Sequence, residues 1–354
     1  MMTMLKRVLS LGVMGAAAFA FTGVSHAQAP KFKVEKFDIK GEGGTDYVSV
    51  ESATGHVFVS RSTHVMVVNG ADGKVLGDIQ NTPGVHGVGI ATKAGHGFTT
   101  NGTDKTVMMF DLKTFAELKR IPVAQGGLDG ITYDDADDLI VLTNHSKPGT
   151  VTAINPVSGE IVGNAELEDN APEGSVADGK GHIFVNNEGK NTIQVVDIKT
   201  WKTTASWPLA PCEGPTGIAY DKATNRIFSG CNTNSVVVDA DSGKVVATIK
   251  NGTRVDALGY DPAQKLIYIP NGAEGNVTVA HQDSADTYTV VATVDTFRGA
   301  KTICVDAKTH NVYLFQPERG PAPAPDPNAA PPAGGRGRGP QGPIVAAWFI
   351  KISQ

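Results

Sequence analysis

A strand that opens on a polar residue, in four copies of seven with glycine next, recurs along this chain. The copies read "DYVSVES", "HGVGIAT", "DGITYDD", "EGSVADG", "TGIAYDK", "DALGYDP" and "KTICVDA". They begin at Asp46, His86, Asp129, Glu173, Thr216, Asp256 and Lys301, so the period is 40 to 45 residues. A turn and a second run follow each start, as in "HVFVSR", "LIVLTN" and "HIFVNN". A third run such as "VMMFD" or "IQVVD" comes next, then a turn such as "PVSGE" and a fourth run. Four short strands in a unit of this length are the mark of a propeller blade. The runs alternate or stay apolar for five or six residues, which excludes helical repeats, whose apolar spacing would be near 3.6.

Seven units predict an all-β, seven-bladed β-propeller. The seventh unit lacks an obvious fourth strand after "GPIVAAWFIKIS". The leftover N-terminal "FKVEKFDIK" has the pattern of one. The N-terminal strand is therefore expected to complete the last blade and close the ring, which removes the exposed edges of an open sheet. Inside that blade, residues 319–343 are so rich in proline and glycine that a disordered or extended solvated loop is expected there.

The N-terminus predicts export. Lys6 and Arg7 precede a short apolar stretch ending at Ser25-His26-Ala27, the parts of a secretory signal peptide over residues 1–27. The propeller then occupies residues 28–354, in the periplasm or outside the cell. Losing Lys6 and Arg7 moves the formal charge from −5 to −7, a poor balance for a nucleic-acid partner. With no second apolar span, no membrane segment is expected after cleavage, and the mature protein is read as a monomer. Of the three cysteines, Cys212 precedes the fifth unit's inner strand and Cys231 ends its second strand. Both fall on one face, and an exported chain permits their disulfide. Cys304, in an apolar run, is read as a buried free thiol.

The second-strand runs resemble the "YVTN" core of the bacterial YVTN-type propeller repeat, and "GKVVATI" resembles its later strand. The whole mature chain fits, so it looks like a secreted seven-bladed propeller of the YncE-like family. The resemblance implies fold; propellers host many unrelated activities.

Candidate function lies at the strand starts. In a propeller the first strand of each blade lines the central channel, so Asp46, His86, Asp129, Glu173, Thr216, Asp256 and Lys301 should form one ring at its mouth. Four acids and an imidazole suit a divalent cation, calcium, manganese or zinc among them, able to polarise an ester or lactone carbonyl. The "PEG" at Pro172 to Gly174 and "LDG" at Leu128 to Gly130 are similar to inner-strand motifs of gluconolactonase-like hydrolases. That resemblance implies Glu173, with Asp129 or Asp256, as metal ligands. Alternatively, Lys301 pairs with Asp46 and Asp256 and leaves a neutralised polar channel. His56, His96 and His182 share a position after the first turn of their units, on the opposite rim, and read as turn residues. Asn101, Asn144, Asn187 and Asn271 end second strands and read as scaffold. No catalytic residue is assigned. The leading expectation is a protein binding a small molecule, ion or peptide at the mouth. A metal-dependent lactone or ester hydrolase and a protein-interaction platform are the alternatives.

Overall fold

The computed structural model describes residues 30–323 and 341–354. The expected signal peptide and the centre of the proline- and glycine-rich segment lie outside the described residues. Every regular element among the described residues is a strand, and the strands form seven four-stranded antiparallel sheets. In blades 1 to 6 four consecutive strands pair in chain order, starting with Val48–Glu51, His56–Ser60, Val65–Asn69 and Val75–Ile79 in blade 1. Blade 7 takes Ile303–Val305, Val312–Arg319 and Ile344–Ser353, and its outer strand is Lys33–Asp38 from the N-terminus. Lys33 faces Ser353 and Asp38 faces Trp348, so the ring closes as the sequence pattern expects.

The middle strands of each blade are largely apolar because both their faces are covered. Val65–Asn69 and Leu139–Asn144 are buried but for one end residue each. Covered faces produce continuous apolar runs, whereas the half-exposed outer strands such as Glu117–Pro122 carry charge. The buried side chains fall into seven clusters, one for each contact between neighbouring blades. Phe58 of blade 1 packs with Met108 and Phe110 of blade 2. At the closure, Tyr313 and Phe349 of blade 7 pack with Val57, Val59 and Val68 of blade 1.

The acids in "DDADD", "DKATN" and "DPAQK" end inner strands and hold the following turn. Asp134 Oδ1 accepts from the amides of Ala136 and Asp137, and Asp261 Oδ1 from those of Ala263 and Gln264. These acids are structural.

Candidate metal centre at the channel mouth

Three of the seven residues at the inner-strand starts, in blades 2, 3 and 4, are aimed by β-bulges. In blade 2, Val85 faces Asn101 and Val88 faces Thr99, so His86 and Gly87 together stand against Thr100. Asp129 and Gly130 stand in the same way against Thr143, and Glu173 and Gly174 against Asn186. Two residues against one is a bulge, which bends the strand and redirects a side chain. Glycine is required because the next blade's backbone comes too close for a side chain. A Cβ on Gly130 would lie 3.0 Å from Glu173 O, and one on Gly174 would lie 2.8 Å from Thr216 O.

Hydrogen bonds then tie each start to its neighbour around the ring. Tyr47 N donates to His86 O (3.0 Å), Thr100 Oγ1 to Asp129 O (2.8 Å) and His145 Nε2 to Pro172 O (2.8 Å). Gly174 N donates to Thr216 O (3.1 Å) and Thr216 Oγ1 to Val255 O (2.9 Å). Asp256 N donates to Lys301 O (3.1 Å), and Thr302 Oγ1 to Asp46 O (2.7 Å). The circuit fixes the side chains of the mouth on a rigid rim.

Four of the seven expected residues join one chain of contacts. His86 Nδ1 lies 2.9 Å from Asp46 Oδ2 and 3.3 Å from Asp129 Oδ1. Across Asp129, His145 Nε2 lies 3.1 Å from Oδ2 and 3.5 Å from Glu173 Oε1. Tyr47 donates its hydroxyl to Glu173 Oε2 at 3.3 Å. Asp129, His145 and Glu173 each present a ligand atom within 4.8 Å of the other two. An imidazole and two carboxylates, one from each of three segments, form a donor set fit for a divalent ion. Below the mouth, Tyr47 and the glycines Gly130, Gly174 and Gly217 line a narrow apolar space of about 180 Å³.

Burial and crowding govern the protons here. Burial, then the charge of Asp129, pushes the Glu173 carboxyl up to about 8. Burial alone would pull His145 down, but its bond to Asp129 and the charges of Asp129 and Glu173 outweigh that and raise it to about 9. Asp129 feels the reverse: burial raises it, and the two imidazoles more than offset the effect, leaving it below the ordinary range. Asp46 is raised by burial, which its bond to His86 only partly opposes. Burial opposes charge on His86 as well, yet Asp46 and Asp129 hold it above its usual value. The surroundings thus favour the protonated forms of Glu173 and His145, and a cation bound among these groups would compete with those protons.

The remaining ring positions do other things. Asp256 is in an ion pair with Lys301, and it stands outside the group formed by Asp129, His145 and Glu173. Thr216 is buried with its hydroxyl on a neighbouring carbonyl. At the mouth end of the second strands, Asn144 donates to Thr150 and Thr152, and Asn271 to Asn276 and Thr278, so these amides stitch second strands to third strands. His96 bonds Pro156 O and His182 bonds Asp178 at the far ends of their strands. Cys212 and Cys231 form a disulfide with Cα atoms 5.5 Å apart, and Cys304 is a free cysteine whose thiol burial pushes up.

His145 was not among the ring residues expected from sequence. It follows the second strand of blade 3 and so stands outside the aligned starts. Its signal was available: Leu128 pairs with Asn144, so the residue after Asn144 must reach the same rim as Asp129.

The fold defines a seven-bladed β-propeller, a class of ring-shaped protein able to act as a binding or interaction platform. Solved structures agree. The chain is similar to the RRP9 WD40 repeats at a TM-score of 0.74 and 9% identity, covering 91% of this chain and 100% of that one. It is also similar to U3-55K, at a TM-score of 0.74 and 9% identity over 90% of this chain and 98% of that one. Hydrazine synthase of Kuenenia stuttgartiensis matches at a TM-score of 0.67 and 14% identity, over 78% and 93%. Identities this low speak for fold alone. No protein-family model and no curated protein matches the chain. No helix long and apolar enough to cross a membrane occurs among the described residues.

Proposed function

We propose that this chain is an exported propeller of the YVTN type that binds a divalent cation at its channel mouth and uses it to recognise a small molecule. The observation that carries the reading is the convergence of Asp129, His145 and Glu173, with ligand atoms mutually within 4.8 Å. Three protein ligands leave positions open for water or for an oxygen of the bound molecule. Ligation needs a deprotonated imidazole, so the ion would replace the proton that His145 Nε2 shares with Pro172 O and the two carboxylates. The mixed nitrogen and oxygen set favours manganese or zinc over calcium. The Cys212–Cys231 disulfide supports an oxidising compartment, periplasmic or extracellular. Hydrolysis of a lactone or ester is the second reading, favoured by those same open positions, where an ion would activate water.

Thermal unfolding with added metal tests the site. Manganese or zinc should raise the melting temperature, because an ion bound only by the folded state stabilises it by mass action. Asp129→Asn with Glu173→Gln, or His145→Ala, should abolish the rise, whereas His96→Ala and His182→Ala should keep it. No response in the parent, or an equal one in the double variant, would end the metal reading.

A further inference from the structure

A second hollow opens where blades 6, 7 and 1 meet, and cationic side chains line it in place of the carboxylates and imidazoles of the mouth cluster. It holds about 540 Å³ and is walled by Arg254, Arg298, Arg319 and Lys301, with no acidic residue in its lining. Three of the chain's nine arginines thus face one pocket in a protein whose formal charge is negative. We propose that this pocket binds a small molecule carrying a multiply charged oxyanion, either phosphate or a cluster of carboxylates.

The backbone builds the pocket before any ligand arrives. The loops bearing Arg254 and Arg298 are both hydrogen-bonded to Gly272, whose N donates to Arg254 O (3.3 Å) and whose O accepts from Gly299 N (2.7 Å). Glycine is needed at both contacts. A Cβ on Gly272 would lie 2.8 Å from Lys301 Cβ, and Gly299 has φ +97 with Gln316 packed against it. Arg319 is oriented by donating from Nη1 to Gly342 O at 3.0 Å.

Local acids do not cancel this charge. Asp256 pairs with Lys301, leaving the three guanidinium groups. Glu274 offsets part of the charge on Arg298 while also accepting from Thr253 N and Oγ1 at 2.9 and 3.0 Å, and one carboxylate against three guanidinium groups leaves the pocket cationic. Among the described residues, no side-chain hydrogen bond or ion pair engages the guanidinium of Arg254 or Arg298. Both residues are exposed. Planar guanidinium groups borne on the walls of one pocket suit the paired oxygens of phosphate and carboxylate, and the volume fits a small organic molecule.

Calorimetric titration with pyrophosphate and with citrate, against chloride at matched ionic strength, tests the proposal. It is done in the Asp129→Asn, Glu173→Gln background, so that failure of the metal site and failure of this pocket stay distinct. At least one of the two anions should bind saturably at one per chain, and which one binds better tells phosphate from carboxylate chemistry. Arg254→Gln with Arg298→Gln should weaken binding tenfold or more. Arg298→Gln alone, if the pair of changes disturbs folding, should weaken it at least threefold. Binding no better than chloride for both anions, or smaller losses than these in folded variants, overturns the proposal.

Discussion

Glu173 and His145 both keep protons in the folded protein that they would release at neutral pH if unfolded. Glu173 is held at about 8 by burial and by Asp129, and His145 is raised to about 9 by its acid neighbours against the pull of burial. A folded pKa above the unfolded one means that the native state binds more protons, so stability falls as pH rises between the two values. The windows run from about 4.5 to 8 for Glu173 and from about 6.5 to 9 for His145. We expect the melting temperature of metal-free protein to decline by several degrees between pH 5.5 and 9. Glu173→Gln, which keeps the shape and removes the charge, should flatten the lower part of that decline. A flat profile in the parent would show that the carboxylates are neutralised some other way. Saturating manganese should flatten the same profile, because a bound cation replaces the protons.

Glycine and aromatic residues are matched between neighbouring blades. Trp201 ends the turn before the outer strand of blade 4 with φ 51, where other blades place glycine, as at Gly159 and Gly243. Its ring lies on Gly163 in the outer strand of blade 3, and a Cβ there would sit 1.9 Å from Trp201 Cε2. Phe115 with φ 60 covers Gly77 in the same way two blades earlier. Gly163→Ala should therefore destabilise by about 1–3 kcal/mol through overpacking. In a Trp201→Ala background the same change should be close to neutral, so the two substitutions should couple strongly in a double-mutant cycle read by denaturant unfolding. At this scale the sequence was legible in part. The inner-strand starts were visible because one residue type pattern returns seven times, and their shared rim follows from that register. The bulges at His86, Asp129 and Glu173 were not visible, since a one-residue slip leaves the apolar pattern of a short strand nearly unchanged. The pairing of Asp256 with Lys301 was one of two readings the sequence offered; choosing it over a ligand role for Asp256 depends on how two neighbouring blades turn their side chains, which no spacing records.

Closure by the N-terminal strand is the feature on which the whole ring depends. Lys33–Asp38 supplies the outer strand of blade 7, and its register with Ile344–Ser353 runs its full length. Polar ties lock the seam: Lys351 Nζ lies 2.8 Å from Glu35, and the Ala347 amide donates to Asp38 Oδ1 at 2.9 Å. Apolar contacts add to it, with Val34 and Phe32 packed on the cluster between blades 6 and 7, and Ile39 and Phe37 on that between blades 7 and 1. Exposing these four side chains at about 1.5 kcal/mol each forfeits roughly 6 kcal/mol. That is a large part of the 5–15 kcal/mol typical of a folded domain. Removing residues 30–39 should thus lower the melting temperature far more than any single substitution above. It also bares the edge of Ile344–Ser353, whose unpaired backbone groups invite another chain. The truncated protein should self-associate beyond the intact chain in sedimentation experiments, and a synthetic peptide of residues 30–39 added in trans should restore the intact chain's sedimentation and part of the lost stability. A truncated protein that sediments like the intact chain and melts near its temperature would mean that three strands suffice to close the last blade.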